Sequence, residues 1–229
     1  MTGRMRIINS ALIALLVLML SPVLSTAVSA TDGQAASSSM LQFTSGGHVL
    51  GFLPGRAILA GLDHALTVEF PGGADPTPTG RAAGSAESAS SAAPLGEVTY
   101  SGAWSGVDVR YTPFPGGVVE STYVVHPGGE VSDIRLKYNV PTELMADGSL
   151  RFAFETGFVA ESAPIAWQEI VGERVAVPVH FVKHDQNEIG FAAKVYNSRY
   201  PLVIDPGRLL AESIATDMRI EYLAVGVAP

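Results

Sequence analysis

The sequence has no cysteine. That excludes disulfides, thiolate metal sites, a cysteine nucleophile and a lipid-modified cysteine. Charge is also scarce: 16% of the 229 residues are charged, against 47% hydrophobic. Such a chain has enough apolar material for a core and too much of it for wholesale disorder. Basic residues are in the minority, 14 Lys and Arg against 22 Asp and Glu. An acidic surface without a basic cluster repels phosphate backbones, so nucleic acid is not an expected partner. After the N-terminal segment no run is long and apolar enough to span a bilayer.

That N-terminal segment has its own logic. "MTGRMR" is basic, "IINSALIALLVLMLSPVL" is apolar, and "STAVSA" ends in small residues. This order is that of a secretory signal peptide, with cleavage expected after Ala30. Its aliphatic centre is shorter than the roughly 20 residues a spanning helix needs, and Ser21-Pro22 ends it. Losing residues 1–30 removes Arg4 and Arg6 and leaves 12 basic against 22 acidic side chains, a net charge of −10. The mature chain is therefore expected to be exported, secreted or held at the cell surface, with no membrane span. Residues 31–40, "TDGQAASSSM", read as a flexible lead-in.

From residue 41 the text is that of an all-β protein. The 24 Gly and 15 Pro fall largely between short apolar runs. Leu66, Val68 and Phe70 alternate with Thr67 and Glu69; Val107, Val109 and Tyr111 with Asp108 and Arg110; Ile134, Leu136 and Tyr138 with Arg135 and Lys137. Period two marks strands with one buried face. Asp147-Gly148 is the strongest hairpin signal. "QEIVGERV" reads as two strands joined at Val171-Gly172-Glu173, with Ile165, Trp167 and Glu169 on one face and Ala166, Gln168 and Ile170 on the other. Trp167 is expected in the core. Residues 71–94 lack bulky apolar side chains and read as a disordered insert. The expected architecture is an antiparallel β-sandwich-like module of ten or more short strands over residues 41–206. Residues 207–229 form a divergent tail. There Leu210, Ile214, Met218 and Tyr222 recur at i+4 and suggest a short helix, although "MRIEYLAV" also alternates as a strand would.

Candidate chemistry is thin. Glu155, Glu161 and Glu169 are the acids a glycoside hydrolase would draw on, but strand spacing does not bring two of them across a bond. His180 and His184 lie four apart beside Asp185, in a strand running into a turn rather than on a helix. His48, His64 and His126 each sit near a glycine-rich turn and read as turn or surface residues. No nucleophile elbow, phosphate loop or calcium loop occurs. No catalytic residue, metal or cofactor is expected. Trp104, with Tyr100 and Tyr111, is the one set that suggests a ligand platform, for a sugar ring.

Five segments taken together resemble a known family: "LQFTSGGHVLGF", "YSGAWSGVDVRY", "ESTYVVHPGGEVSDIRLKYN", "DGSLRFAFETGFVAESAPIAWQEIVGERVAVPVHF" and "EIGFAAKVYNSRYPLVIDP". The set is similar to the N-terminal module of secreted bacterial SBBP-type β-propeller repeat proteins. The resemblance implies a β-rich module without known catalytic residues that precedes propeller repeats on exported proteins. Repeat-like text does not follow "VIDP" here, which suggests a stand-alone, truncated or frame-shifted form. The expected role is non-enzymatic: interaction, adhesion or a structural cap, with a β-propeller domain or an extracellular protein or glycan as partner. A carbohydrate-binding module is the alternative and a hydrolase the third reading. N-terminal sequencing of the exported protein should begin at Thr31; retention of residues 1–30 would make that segment an anchor instead.

Overall fold

The computed structural model describes residues 40–84 and 94–213. The signal segment and almost all of the lead-in lie outside the described residues, as do residues 85–93 and 214–229. Seventeen strands run along the described chain. The first four form a meander: β1 (Leu41–Ser45), β2 (His48–Leu53), β3 (Arg56–Ala60) and β4 (Ala65–Glu69). Then come β5 (Thr79–Ala82), β6 (Leu95–Trp104), β7 (Val107–Pro113) and β8 (Val119–Val125). A single 3-10 turn at Val131–Asp133 leads to β9 (Arg135–Tyr138), β10 (Thr142–Leu144), β11 (Leu150–Phe154) and β12 (Gly157–Glu161). The last five are β13 (Ile165–Ile170), β14 (Glu173–Ala176), β15 (Val179–Lys183), β16 (Glu188–Ala193) and the long β17 (Leu202–Ser213).

All pairings are antiparallel, and the strands form two sheets. The smaller has seven strands in the order β1-β2-β3-β4-β9-β16-β15. The larger has ten. Its main path is β10-β11-β12-β17-β8-β7-β6-β5, and β13 pairs with β17 and carries β14. The chain crosses between sheets several times, so neither sheet is a separate unit. The expected all-β, two-layered architecture is what the strands build.

The alternating positions named from the sequence are the core. Val107, Val109, Tyr111, Ile134, Leu136 and Tyr138 are all buried, and their polar neighbours point away. Aromatic rings knit the layers together. Phe52 of β2 lies 5.3 Å from Phe43, 6.4 Å from Tyr100 and 5.4 Å from Tyr111 between ring centroids. Tyr138 and Phe152 meet at 4.5 Å across the interface. The Asp147-Gly148 signal sits where expected, inside the loop that pairs Leu144 with Leu150, with Gly148 at φ 85.

Three expectations need correction. Residues 71–94 are not wholly without structure. Thr79–Ala82 form β5 and pair with β6 from Thr79↔Thr99 to Ala82↔Leu95, and Arg81 forms an ion pair with Glu97. Gly80 lies flat on Leu95, where a Cβ would come within 2.7 Å of its Cδ2. Backbone pairing to an existing edge, rather than side-chain burial, orders this stretch. Second, the boundary at 206/207 is not a structural one, because β17 runs through it to Ser213. Leu202 and Ile204 bury even positions and Leu209 an odd one. The register shift between Ile204 and Gly207 makes that change of parity and masks the continuity. Leu210 is therefore on a strand, and the rest of the suggested helix lies outside the described residues.

Third, Trp167 is on the outer face. The two faces of β13 divide as expected, but Ala166 and Gln168 are the buried pair. The Gln168 amide donates to the backbone carbonyls of Asn197 and Tyr200 and accepts from the Asn197 N–H at 2.8 Å, so its polar atoms are satisfied inside. Trp167 is half-buried, with the Arg174 guanidinium 3.6 Å from its ring centroid. A urea melt should separate the two aromatic environments: Phe52→Ala should cost about 3–5 kcal/mol. Trp167→Ala should cost only about 1–2 kcal/mol, the scale of a partly exposed ring with a cation–π partner.

Candidate functional site

The sugar platform does not form. Tyr100, Trp104 and Tyr111 are buried to 5% exposure or less. Tyr100 donates its hydroxyl to the carbonyls of Leu53 and Arg56. Trp104 donates Nε1–H to the Pro71 carbonyl at 3.1 Å. β6 is bulged between two of them: Tyr100 pairs with Val109 and Trp104 with Val107, so Ser101, Gly102 and Ala103 oppose Asp108 alone. The Asp108 carboxylate fills the gap by accepting from the Gly102 N–H at 2.8 Å and contacting His126 Nε2 at 2.9 Å. Burial works to raise the Asp108 carboxyl, and these two donors outweigh it and hold it below its ordinary range. This Asp–His pair ties the bulge to the end of β8.

The three glutamates do not form a pair across a cleft. Glu155 and Glu169 are exposed, whereas Glu161 is buried at 3% exposure. His180 and His184 are exposed on β15 and its turn. Among the described residues no group of three or more His, Cys, Asp or Glu could hold a metal.

Glu161 is the unusual group, and its position follows from the strand. In "GFVAE" Gly157, Val159 and Glu161 are the inward set. The carboxyl thus enters the layer between the sheets. Its Oε2 accepts from the Tyr138 hydroxyl of the opposite sheet at 3.1 Å, and its Oε1 from Ser121 at 3.3 Å. Tyr111 and Tyr123 share a hydrogen bond beside it, and Tyr123 shares another with Ser121. Burial raises all three tyrosines, with the Glu161 charge adding to the effect.

A cavity of about 40 Å³ adjoins this cluster, walled by Leu50, Leu59, Leu66 and Tyr138 with Ser121 and Glu161. That is room for a water or two. It is far below the roughly 300–1,000 Å³ of a small-molecule pocket. Two larger hollows, about 470 and 440 Å³, are shallow surface depressions. The first is lined mainly by Pro113–Val118 and Leu210, the second by Arg56, Glu69, Asp75 and Lys137 among others, with charges that offset. Neither contains Glu161 or the three aromatic candidates.

Desolvation pushes the Glu161 carboxyl up from 4.5 to about 7; the Tyr138 and Ser121 hydroxyls oppose the shift and the Asp205 charge adds to it. The folded protein therefore keeps, between pH 4.5 and about 7, a proton that the unfolded chain has released. Stability from this group is full below pH 4.5 and is lost as pH rises through about 7, by about 3 kcal/mol in all. Asp63, Asp108 and Asp147 are shifted the other way, below 3.8, so their contribution changes in a more acidic window. Denaturant melts across pH should show the loss in wild type. Glu161→Gln should flatten the slope between pH 4.5 and 7 and be the more stable protein above it; an unchanged slope would place the carboxyl in water.

Comparison with family models matches residues 79–207 to a domain of unknown function, DUF7948. No curated protein and no solved structure matches. The match runs from β5 into β17 and takes in the bulged β6, the buried Glu161 and the β13–β14 hairpin. It omits the β1–β4 meander, which supplies four of the seven strands of the smaller sheet. Spanning more than half of the 229 residues, it shows that the chain belongs to the DUF7948 family, a domain whose function is unknown.

Proposed function

We propose that the chain is a non-enzymatic exported module that caps or docks a β-propeller domain through the outer face of its larger sheet. The observation that carries this reading is the β13–β14 hairpin. Ile165 is 61% exposed on it, and Trp167 lies beside it under Arg174. Val203 of β17, half-buried, pairs with Trp167 and extends the same outward row as far as Val124 of β8, which is buried. All four residues of β14 are exposed.

The tip of the hairpin adds a second reason. Ile170 pairs with Glu173, so Val171-Gly172 is a two-residue turn, with φ 53 and 83. That turn favours Asn-Gly, and a β-branched residue there is strained. Yet the strained residue is Val171, 89% exposed. Apolar exposure held at a conformational cost supports contact with another surface. The signal-like residues 1–30 support export, and the resemblance to modules that precede SBBP-type propeller repeats supports the partner class. The groups that suggested chemistry lend no support to an enzyme reading, since Glu161 and the aromatic set are enclosed and the other acids are dispersed.

The test uses the hairpin. Val171→Asn should stabilise the isolated protein by about 1 kcal/mol, because it relieves the strain. A photo-crosslinking phenylalanine at position 165 should capture an exported β-propeller protein in the producing cell, and the same probe at the exposed Val195 should not. Equal capture from both positions, or a glycan-array signal with no protein adduct, would contradict the proposal.

A further inference from the structure

His48 and His64 are 16 residues apart in the smaller sheet, one at the first residue of β2 and the other just before β4. The fold brings their Nε2 atoms to 3.1 Å. The ring centroids are 5.1 Å apart, so the two nitrogens are the inner atoms of the pair and face each other. The other nitrogen of each ring is already committed. His48 Nδ1 lies 2.8 Å from the Gly46 carbonyl, and a carbonyl can only accept. His64 Nδ1 lies 2.9 Å from Asp63 Oδ1. Asp63 is half exposed, and a carboxylate oxygen can only accept, so the hydrogen here too is on His64 Nδ1.

Both Nδ1 atoms therefore carry hydrogen. In the neutral rings both Nε2 atoms are then bare lone pairs, 3.1 Å apart. Two lone pairs hold that separation only with a cation between them, either one shared proton or a metal ion. We propose that His48 and His64 form a two-histidine site for a divalent transition-metal ion of the zinc and copper class, bound through their Nε2 atoms.

The geometry fits without rearrangement. With bonds of about 2.0–2.1 Å, two imidazole nitrogens stand about 3.3 Å apart on a tetrahedral ion and about 2.9 Å apart at a right angle. The observed 3.1 Å falls between. A backbone carbonyl on one ring and a carboxylate on the other are the outer partners that metal-bound histidines use to fix tautomer and orientation. The pair is held from both sheets. The Phe154 ring lies 5.0 Å from His64, and Thr156 bonds Asp63. Gly61 lets the His64 ring lie against the backbone, where a Cβ would be 2.6 Å from its Cε1. His126 is the internal contrast, because its Nε2 is engaged by Asp108. With only two protein ligands, water or a partner's side chain completes the coordination.

The test is calorimetric titration of the full chain with zinc chloride, and separately copper(II) chloride, at mildly alkaline pH, where imidazole is neutral. One ion should bind per chain. His48→Gln and His64→Gln should each abolish binding, Asp63→Asn should weaken it by about tenfold or more, and His126→Gln should leave it unchanged. Because His48 is packed in the fold, nitrogen-15 NMR of wild-type imidazoles provides a readout that needs no variant. Zinc should shift the two Nε2 signals together and leave both Nδ1–H groups in place. Absence of saturable binding, equal binding by the two glutamine variants, or Nε2 signals that show one shared proton and ignore zinc would each overturn the site.

Discussion

Between Tyr138 on one sheet and Glu161 on the other runs a hydrogen bond through the buried layer between the sheets. It is possible because every second residue of the facing strands is apolar, and it is needed because one of those inward positions is an acid. The layer between two packed sheets has a fixed capacity for polar groups: each must find a donor or acceptor among its neighbours or stay neutral. Ser121, Tyr111, Tyr123 and Tyr138 meet that demand as a network. The same dryness moves the carboxyl to about 7 and buries the Tyr100, Trp104 and Tyr111 rings that suggested a sugar site, while Ile165 and Trp167 stay on the outward face of β13.

Much of the fold was legible because period two is a local signal. Val107, Val109, Tyr111, Ile134, Leu136 and Tyr138 needed only their immediate neighbours to be placed in the core. The Asp147-Gly148 and Val171-Gly172 turns were legible for the same reason. What failed was not local. β5 has no bulky apolar side chain to announce it, and exists because β6 offers an unpaired edge. The bulge at Asp205-Pro206 shifts side-chain parity, and a parity shift looks in a sequence like the end of an element; the one at Ser101–Ala103 adds two residues and keeps Tyr100 and Trp104 on the same buried side. Trp167 was assigned to the wrong side because a large aromatic outweighs a glutamine in any hydropathy reading. The residue that fills the core is Gln168, whose amide is satisfied by a backbone loop 29 to 32 residues away.

The sites divide in the same way. Glu161 was visible as a candidate acid, and "GFVAE" already put it in line with Gly157 and Val159. Its meaning lay in Tyr138, on the other sheet. His48 and His64 read in the sequence as turn or surface residues, whereas His48 opens β2 and is buried, and their relation belongs to the folded chain alone: His48 follows the turn from β1 to β2, His64 lies between β3 and β4, and strand pairing across the meander sets them side by side. Distance in sequence hides such pairs, and only their flanking glycines hinted that backbone and ring come close.

The central claim is that the space between the sheets is dry enough to hold a carboxyl against its ordinary ionisation. Carbon-13 NMR of glutamate side chains in the folded protein, with the Glu161 resonance assigned by its absence in Glu161→Gln, reads this directly. The account predicts a titration midpoint near pH 7, in a resonance coupled to the tyrosine hydroxyls. A midpoint near 4.5, where a solvated glutamate titrates, would mean that water reaches the core and that the two layers do not pack as described.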